Sequence, residues 1–240
     1  MPASILTIIF ENQQLRTHDI PEWRRMVNDV VGWQEPLLHN HTSEGGETHA
    51  YPLVQFRAIG GRGALIGIGE GTSVLLRILP LLQTELGKAQ LDLDQARVAI
   101  APNNALVYHY ALYRWLALSP INYQAWRQTR SLAAHVQQLE RILSGQLLGL
   151  LKTLGIDPLP VVSVEIEHLD ERGHFSIPTD KGEVQHLAFD IKFSCSVRLP
   201  PQQLGIGKFS SKGYGILTPL NLSKQRHEQP QQNQKSQKTR

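Results

Sequence analysis

The order of strand-like and helix-like segments in the first half of the chain constrains its fold more than any other feature. Short, apolar segments with strand character lie at 5–10, 51–59, 64–68 and 96–101. Helical spacing of apolar residues indicates one helix beginning near Asp19 and a second over 72–86, which Pro80 is expected to kink. Strand, helix, strand, strand, helix, strand is the order of the ferredoxin-like split unit, which RNA-recognition modules also use.

The second half follows a similar but less regular pattern. Asn103-Asn104 indicates a boundary, and a strand-like run over 107–118 follows it. The longest apolar-periodic helix covers about 122–154. Segments 161–168 and 187–199 alternate polar and apolar residues, as half-buried antiparallel strands do. A second helix is not visible in this pattern.

These patterns predict an α+β fold with two tandem ferredoxin-like (RRM-like, βαββαβ) domains, the second irregular. The expected domains are residues 1–103 and 104–220. Residues 221–240 are Gln-rich, and from Gln225 onwards they contain no apolar residue apart from Pro230, which predicts a disordered basic tail. Five Lys or Arg and a single Glu lie in this tail, so the formal charge of +3 and the pI of 9.0 describe the tail more than the body.

Composition also predicts where the protein resides. A single cysteine, Cys195, cannot form an internal disulfide, and no paired Cys spacing suggests a zinc or iron–sulfur site, so a reducing cytoplasm fits best. The N-terminal apolar run lacks a preceding cationic segment and is interpreted as a strand rather than a signal peptide. No stretch approaches the roughly 18 apolar residues that span a bilayer, and no membrane partner is expected.

A glycine-rich loop, residues 200–215, follows the last alternating strand. Its glycines, Gly205, Gly207, Gly213 and Gly215, allow positive φ angles and close backbone approach. Backbone N–H groups could then face a phosphate, and Lys208, Ser211 and Lys212 could add charge and hydroxyl contacts. The loop is not a P-loop, because Phe209 follows Gly207-Lys208 where Ser or Thr is needed.

This loop resembles the C-terminal glycine-rich motif of the CRISPR-associated endoribonucleases that process precursor crRNA, members of the repeat-associated mysterious protein (RAMP) superfamily. The matching residues are Leu204-Gly205-Ile206-Gly207-Lys208 and Ser211-Lys212-Gly213-Tyr214-Gly215. Tyr51 to Phe56 after a His-x-His segment, the Gly67 to Gly71 turn and the helix end Leu139 to Gly145 agree in the same order. The resemblance covers about residues 4–220. It implies tandem ferredoxin-like domains and metal-independent cleavage of repeat RNA, without a cofactor.

The histidine segment, residues 32–50, is a long polar stretch without periodicity, which is typical of a functional or disordered loop. His39 and His41 lie two residues apart, and near neutral pH one imidazole can accept a proton while another donates one. The resemblance implies that they form the catalytic pair, with either one as base. Tyr51 is predicted to be a third catalytic residue in a supporting role, and His49 is another candidate for it, because a phenol or a third imidazole could hydrogen-bond the phosphate. Two alternatives remain: exposed histidines without a role, or a zinc site of His39, His41 and His49.

RNA would be held by local positive charge. Arg198, Lys208 and Lys212 form the one stretch of the body with three cations and no acid, and Phe209 and Tyr214 could stack on bases. A second set lies around the first hairpin and helix: Arg57, Arg62 and Arg77.

The leading hypothesis is therefore an endoribonuclease that cuts CRISPR repeat RNA in precursor crRNA and leaves 2′,3′-cyclic phosphate and 5′-OH ends. The main alternative is a noncatalytic RAMP-type subunit that binds crRNA, which would not need His39 and His41. A zinc-dependent hydrolase ranks third. The sequence leaves open whether the chain forms a homodimer or joins a CRISPR interference complex.

Overall fold

A computed structural model of the chain describes residues 1–39, 51–157, 159–179 and 182–220. In the first half, four strands and two long helices follow one another in the order that the sequence predicts, and a one-turn helix precedes the second strand. Their bounds are β1 (Ser4–Gln14), α1 (Ile20–Val31), α2 (Pro36–His39), β2 (Val54–Ile59), β3 (Arg62–Ile68), α3 (Glu70–Leu86) and β4 (Ala89–Gln95). The sheet has the antiparallel order β2-β3-β1-β4, which is the ferredoxin-like order.

The last strand of this sheet is not where the sequence predicted it. Residues 96–101 were expected to form it, but β4 ends at Gln95. β4 is an edge strand with Leu91 and Leu93 exposed between polar neighbours, so it lacks the apolar run of a buried strand. Ala99–Ile100 forms β5 instead, a two-residue strand that pairs with β9 of the second half.

The second half contains a sheet of the same order. Its elements are β6 (Tyr108–Trp115), α4 (Pro120–Gln128), α5 (Leu132–Thr153), β7 (Val164–Thr179), β8 (Gly182–Cys195), β9 (Val197–Arg198) and β10 (Ile216–Pro219). The four-stranded sheet runs β10-β6-β8-β7, so the second ferredoxin-like unit is confirmed. Between β9 and β10, where the fold usually has its second helix, the glycine-rich loop contains only a short 3₁₀ turn, Ser210–Lys212. The predicted irregularity lies there.

The predicted single helix over 122–154 is two helices. α4 ends at Gln128, and α5 begins after Ser131, whose Oγ accepts a hydrogen bond from the N–H of Ala134 at 3.3 Å. A serine in this position satisfies one of the N–H groups that a helix start leaves unpaired, so it favours a new start over a continuous helix.

The two halves pack against each other through a shared core. Leucines of α5 and aromatic residues of β8 form its centre, and Ile5, Ile66 and Ile68 of the first sheet join the same cluster. The backbone N–H of Ala3 also donates to the carbonyl of Leu154 at 2.9 Å. Within the described residues, no helix is long and apolar enough to cross a membrane.

Candidate functional site

Backbone hydrogen bonds join the beginning of the glycine-rich loop to its end, where the chain leads into β10. The N–H of Ile206 donates to the carbonyl of Gly215 at 2.7 Å, and the N–H of Leu217 donates to the carbonyl of Leu204 at 3.0 Å. The N–H of Lys208 donates to the carbonyl of Leu116, 3.2 Å away beyond the end of β6. The loop is therefore an ordered part of the second domain.

The glycines of this loop are required by close packing inside the protein. Gly213 has φ 84°, and a Cβ there would overlap the side chain of Ile20 on α1. Gly215 has φ 60°, and a Cβ there would overlap the carbonyl of Ile206. At Gly205, a Cβ would approach Nη2 of Arg57 to 2.5 Å. The loop thus lies between the two domains, and its glycines permit contacts with both.

Three side chains of the first domain, Tyr51, Gln55 and Arg57, bind the loop backbone; they are called the 51–57 network below. The hydroxyl of Tyr51 donates to the carbonyl of Gly205 at 2.8 Å. Oε1 of Gln55 accepts from the N–H of Gly205 at 2.9 Å. Arg57 donates from Nε to the carbonyl of Gln203 at 2.7 Å and from Nη1 to the carbonyl of Ser210 at 2.8 Å. Its Nη2 donates to Oε1 of Gln55.

Arg57 is therefore not an exposed cation that could contact RNA, as the sequence predicted. Its side chain is fully buried behind the loop, and its donors are used by protein acceptors. The β2 sequence gives a misleading signal, because polar residues at alternating strand positions usually indicate a solvent-exposed face. Here that face is covered by the glycine-rich loop, so the strand pattern does not indicate Gln55 as a site residue.

Burial also sets the protonation of this network. It raises the pKa of Tyr51 to about 12, opposed by hydrogen bonding with Gln55 and by the charge of Arg57. Burial lowers the pKa of Arg57 to about 10, which still leaves the guanidinium charged near neutral pH. The Tyr51 phenol accordingly stays protonated and serves as a hydrogen-bond donor rather than a base.

The predicted RNA-binding cations lie at different depths. Lys208 is partly buried, and that burial lowers the pKa of its amine. Nζ of Lys212 lies 4.9 Å from the centre of the Phe209 ring, and Ser211 is 9% exposed. Arg198 is exposed on β9, where its backbone pairs with Ala99.

The two remaining cations of the second set, Arg62 and Arg77, lie on other elements. Arg77 on α3 forms an ion pair with Glu35, and Arg62 begins β3. Lys208 and Lys212 are thus residues of the glycine-rich loop itself, Arg198 precedes the loop on β9, and the loop carries neither Arg62 nor Arg77.

An additional histidine lies next to the loop. His186 on β8 packs edge-to-face on Phe209, with ring centroids 5.2 Å apart. Burial and then the charge of Lys208 lower the pKa of His186. Tyr214, considered above for base stacking, is buried under the guanidinium of Arg114, 4.5 Å from its ring centroid. His186 pairs with Phe175 of β7 and meets Phe209 only in the folded chain, so no local sequence signal indicates it.

The described structure stops at the end of α2 within the histidine segment and resumes beside the glycine-rich loop. Leu38 of α2 is buried in the first core, and α2 ends at His39. His41 and His49 lie outside the described residues, so the predicted catalytic pair and the zinc alternative rest on the sequence. The chain returns at Tyr51, which contacts Gly205. Among the described residues, no three His, Cys, Asp or Glu side chains gather as a metal site.

Tandem ferredoxin-like domains with a C-terminal glycine-rich loop are the architecture that the resemblance to the RAMP superfamily implies. Comparison with known proteins is more specific. A model of the Cas6b N-terminal domain matches residues 1–103, and a model of the Cas6b C-terminal domain matches residues 103–220. The chain therefore belongs to the Cas6b family, which confirms the resemblance to CRISPR-associated proteins that process precursor crRNA.

Solved structures share this fold. A crystal structure of Cas6b is 22% identical, with a TM-score of 0.76, covering 92% of this chain and 100% of that chain. A second, described as CRISPR RNA processing endoribonuclease Cas6b, is 21% identical with a TM-score of 0.67 and the same coverage. Csf5, described as a type IV Cas6 crRNA endonuclease, is 13% identical with a TM-score of 0.62, again over 92% and 100%. A search of curated protein sequences gives no match.

Proposed function

We propose that this protein is an endoribonuclease that cleaves CRISPR repeat RNA within precursor crRNA. The observation that carries the proposal is that Cas6b domain models cover residues 1–220, which include the His-x-His sequence at 39–41 and the glycine-rich loop. Two structural neighbours are described as a CRISPR RNA processing endoribonuclease and a crRNA endonuclease, which supports the same activity here.

The proposed reaction needs one proton acceptor and one proton donor, and two imidazoles can supply both. One of His39 and His41 removes the proton from a ribose 2′-OH, which attacks the adjacent phosphate. The other protonates the departing 5′-oxygen. The products are a 2′,3′-cyclic phosphate and a 5′-OH. Because an unperturbed histidine has a pKa of about 6.5, both protonation states are available near neutral pH. This route requires no metal ion.

Tyr51 takes a positioning role in this proposal. Its hydroxyl proton is donated to the carbonyl of Gly205, and its pKa of about 12 makes it a poor proton acceptor near neutral pH. It therefore fixes the return of the histidine segment, rather than exchanging protons with RNA.

The RNA backbone is proposed to cross the outer side of the glycine-rich loop. Arg198, Lys208 and Lys212 supply positive charge there, whereas Ser211, which the sequence predicted as an RNA contact, is buried and is left out of the proposed surface. Arg57 supports this surface from behind, because its donors face the loop carbonyls.

The test is a cleavage assay with labelled repeat RNA in EDTA. We expect wild-type protein to cut the RNA and His39→Ala and His41→Ala each to slow cleavage by about 10²- to 10⁴-fold, the usual contribution of general acid–base catalysis. His168→Ala is the matched control, since His168 is an exposed histidine on β7, an edge strand of the second sheet. Products should carry cyclic phosphate ends.

Two outcomes would replace this proposal. Tight binding of repeat RNA without cleavage would instead support the noncatalytic crRNA-binding subunit. Cleavage that is abolished by chelation and restored by stoichiometric zinc would support the zinc-dependent hydrolase.

A further inference from the structure

Two buried polar side chains lie on β2, at positions that face the second domain. Successive residues of a strand point to opposite sides, so Gln55 and Arg57 share one face, while Val54 and Phe56 pack into the first core on the other. Both Gln55 and Arg57 are 0% exposed. The surface that covers them is the glycine-rich loop.

Because the charge of Arg57 is buried, its contact with the loop requires well-placed hydrogen-bond acceptors. A buried guanidinium is tolerated only when its donors find acceptors, and those of Arg57 are carbonyl oxygens and one side-chain amide rather than a carboxylate. The carbonyls of Gln203 and Ser210 belong to the two sides of the loop. Arg57 is satisfied only if both sides keep their present positions.

Gly205 is held at both of its backbone groups. Its N–H donates to Gln55, and its carbonyl accepts from Tyr51. Tyr51 is the first described residue after the segment that contains His41. The 51–57 network therefore connects the loop that carries Lys208 and Lys212 to the end of the segment that carries the histidines.

We propose that Gln55 and Arg57 are positioning residues for RNA cleavage, which with Tyr51 fix the glycine-rich loop relative to β2 and to the point where the chain leaves the histidine segment, Tyr51. This inference rests on the function proposed above. RNA bound on the loop is then held at a fixed position relative to Tyr51 and β2. A displacement of about 1 Å in such a site can cost about 100-fold in rate, because reaction requires close alignment of the reacting atoms.

The experiment uses pairs of variants of the full chain. Gln55→Leu removes the acceptor for Gly205 and Arg57, while Gln55→Glu keeps an acceptor oxygen for both. Tyr51→Phe removes one hydroxyl, and Arg57→Met removes the loop donors. Thermal melting first establishes which variants are folded at the assay temperature. If Arg57→Met does not fold, the Gln55 pair and Tyr51→Phe decide the question.

Three quantities are measured for each folded variant. They are the single-turnover cleavage rate at saturating protein, its pH profile, and the Kd for repeat RNA with a 2′-deoxy nucleotide at the mapped cleavage position. We expect Gln55→Leu and Tyr51→Phe to lower the rate by about 10- to 100-fold, with the Kd changed by less than about threefold and the pH profile keeping its midpoints. Gln55→Glu should return the rate to within about threefold of wild type.

A readout without RNA separates this inference from the proposed function. Amide hydrogen exchange of residues 203–213 should be faster in Gln55→Leu than in Gln55→Glu and wild type, because the loop loses its anchor. If wild type fails to cleave RNA but the exchange difference is present, the proposed function fails while the anchoring stands. Unchanged exchange, a cleavage rate equal to wild type in Gln55→Leu, or a loss confined to Kd would overturn the inference.

Discussion

Gly213 of the glycine-rich loop lies directly against the side chain of Ile20, the first residue of α1 in the other domain. A Cβ on Gly213 would overlap Cδ1 of Ile20 and come within 3.1 Å of its Cγ2. The residue also has φ 84°, a conformation that other L-residues adopt only at a cost. The absence of a side chain at this position is therefore a condition for the two domains to pack as they do.

We expect Gly213→Ala to lower the free energy of unfolding by about 2–4 kcal/mol, the combined cost of strained backbone and overpacking. Chemical denaturation of the purified variant measures it. Gly173→Ala is the matched control, because Gly173 has nearly the same φ, 83°, and nothing within 4 Å of its added Cβ. It should lose only the backbone contribution of about 1 kcal/mol.

A second-site change tests the assigned contact itself. Ile20→Val removes Cδ1, the atom nearest to the added Cβ. In the Gly213→Ala background it should recover part of the lost stability, although the same change in wild type costs about 0.5–1.5 kcal/mol. Equal losses in both backgrounds would contradict the assigned contact.

Much of the fold was predictable because it depends on local pattern. Alternation in β8 and helical spacing in α5 mark elements buried on one face, and burial on one face leaves a periodic trace in sequence. β4 escaped this reasoning since, as an exposed edge strand, it buries little on either face, as Leu91 and Leu93 show. The break between α4 and α5 depends on a serine cap inside an otherwise continuous helical pattern.

The candidate site was predictable only in part. The glycine-rich loop and the histidine segment can be recognised from the composition of a short stretch of sequence. Arg57, in contrast, is buried by Gln203 and Ser210, which are 146 and 153 positions away. A cation in a half-polar strand predicts exposure unless those distant partners are known. His186 could not be predicted for the same reason, because its ring contacts Phe209, which belongs to a different element.

His186 gives the stability of the protein a dependence on pH. Its pKa is lowered by burial and by Lys208, so the folded protein binds this proton less readily than the unfolded chain does. The contribution of neutral His186 is thus complete above the unfolded pKa of about 6.5 and is lost as the pH falls through the folded value. Urea denaturation between about pH 7.5 and pH 5 should show a steeper loss in wild type than in His186→Gln. Parallel curves would contradict this assignment.

The affinity for RNA should depend on salt concentration through Lys212 of the glycine-rich loop and Arg198 of β9. Lys212→Gln and Arg198→Gln should each weaken binding of repeat RNA and reduce the slope of log K against log salt by about 0.7, the value for one phosphate contact on a single strand. Arg77→Gln removes an exposed cation of another element, one that is paired with Glu35, and should leave the slope unchanged. A slope altered equally by all three variants would indicate a general charge effect.

Trp115 of β6 connects the loop to α5. Its indole Nε1 donates to Oε1 of Gln146 at 2.8 Å, and an added Cβ on Gly207 would lie 2.8 Å from the same nitrogen. Trp115 is 0% exposed, so Gln146→Leu would leave the buried N–H without its acceptor and should cost about 1–3 kcal/mol of unfolding free energy. Gln137→Leu, the same change at an exposed position of α5, should alter stability by less than about 0.5 kcal/mol. Denaturation followed by tryptophan fluorescence measures both, and equal losses would mean that the hydrogen bond contributes nothing beyond helix propensity.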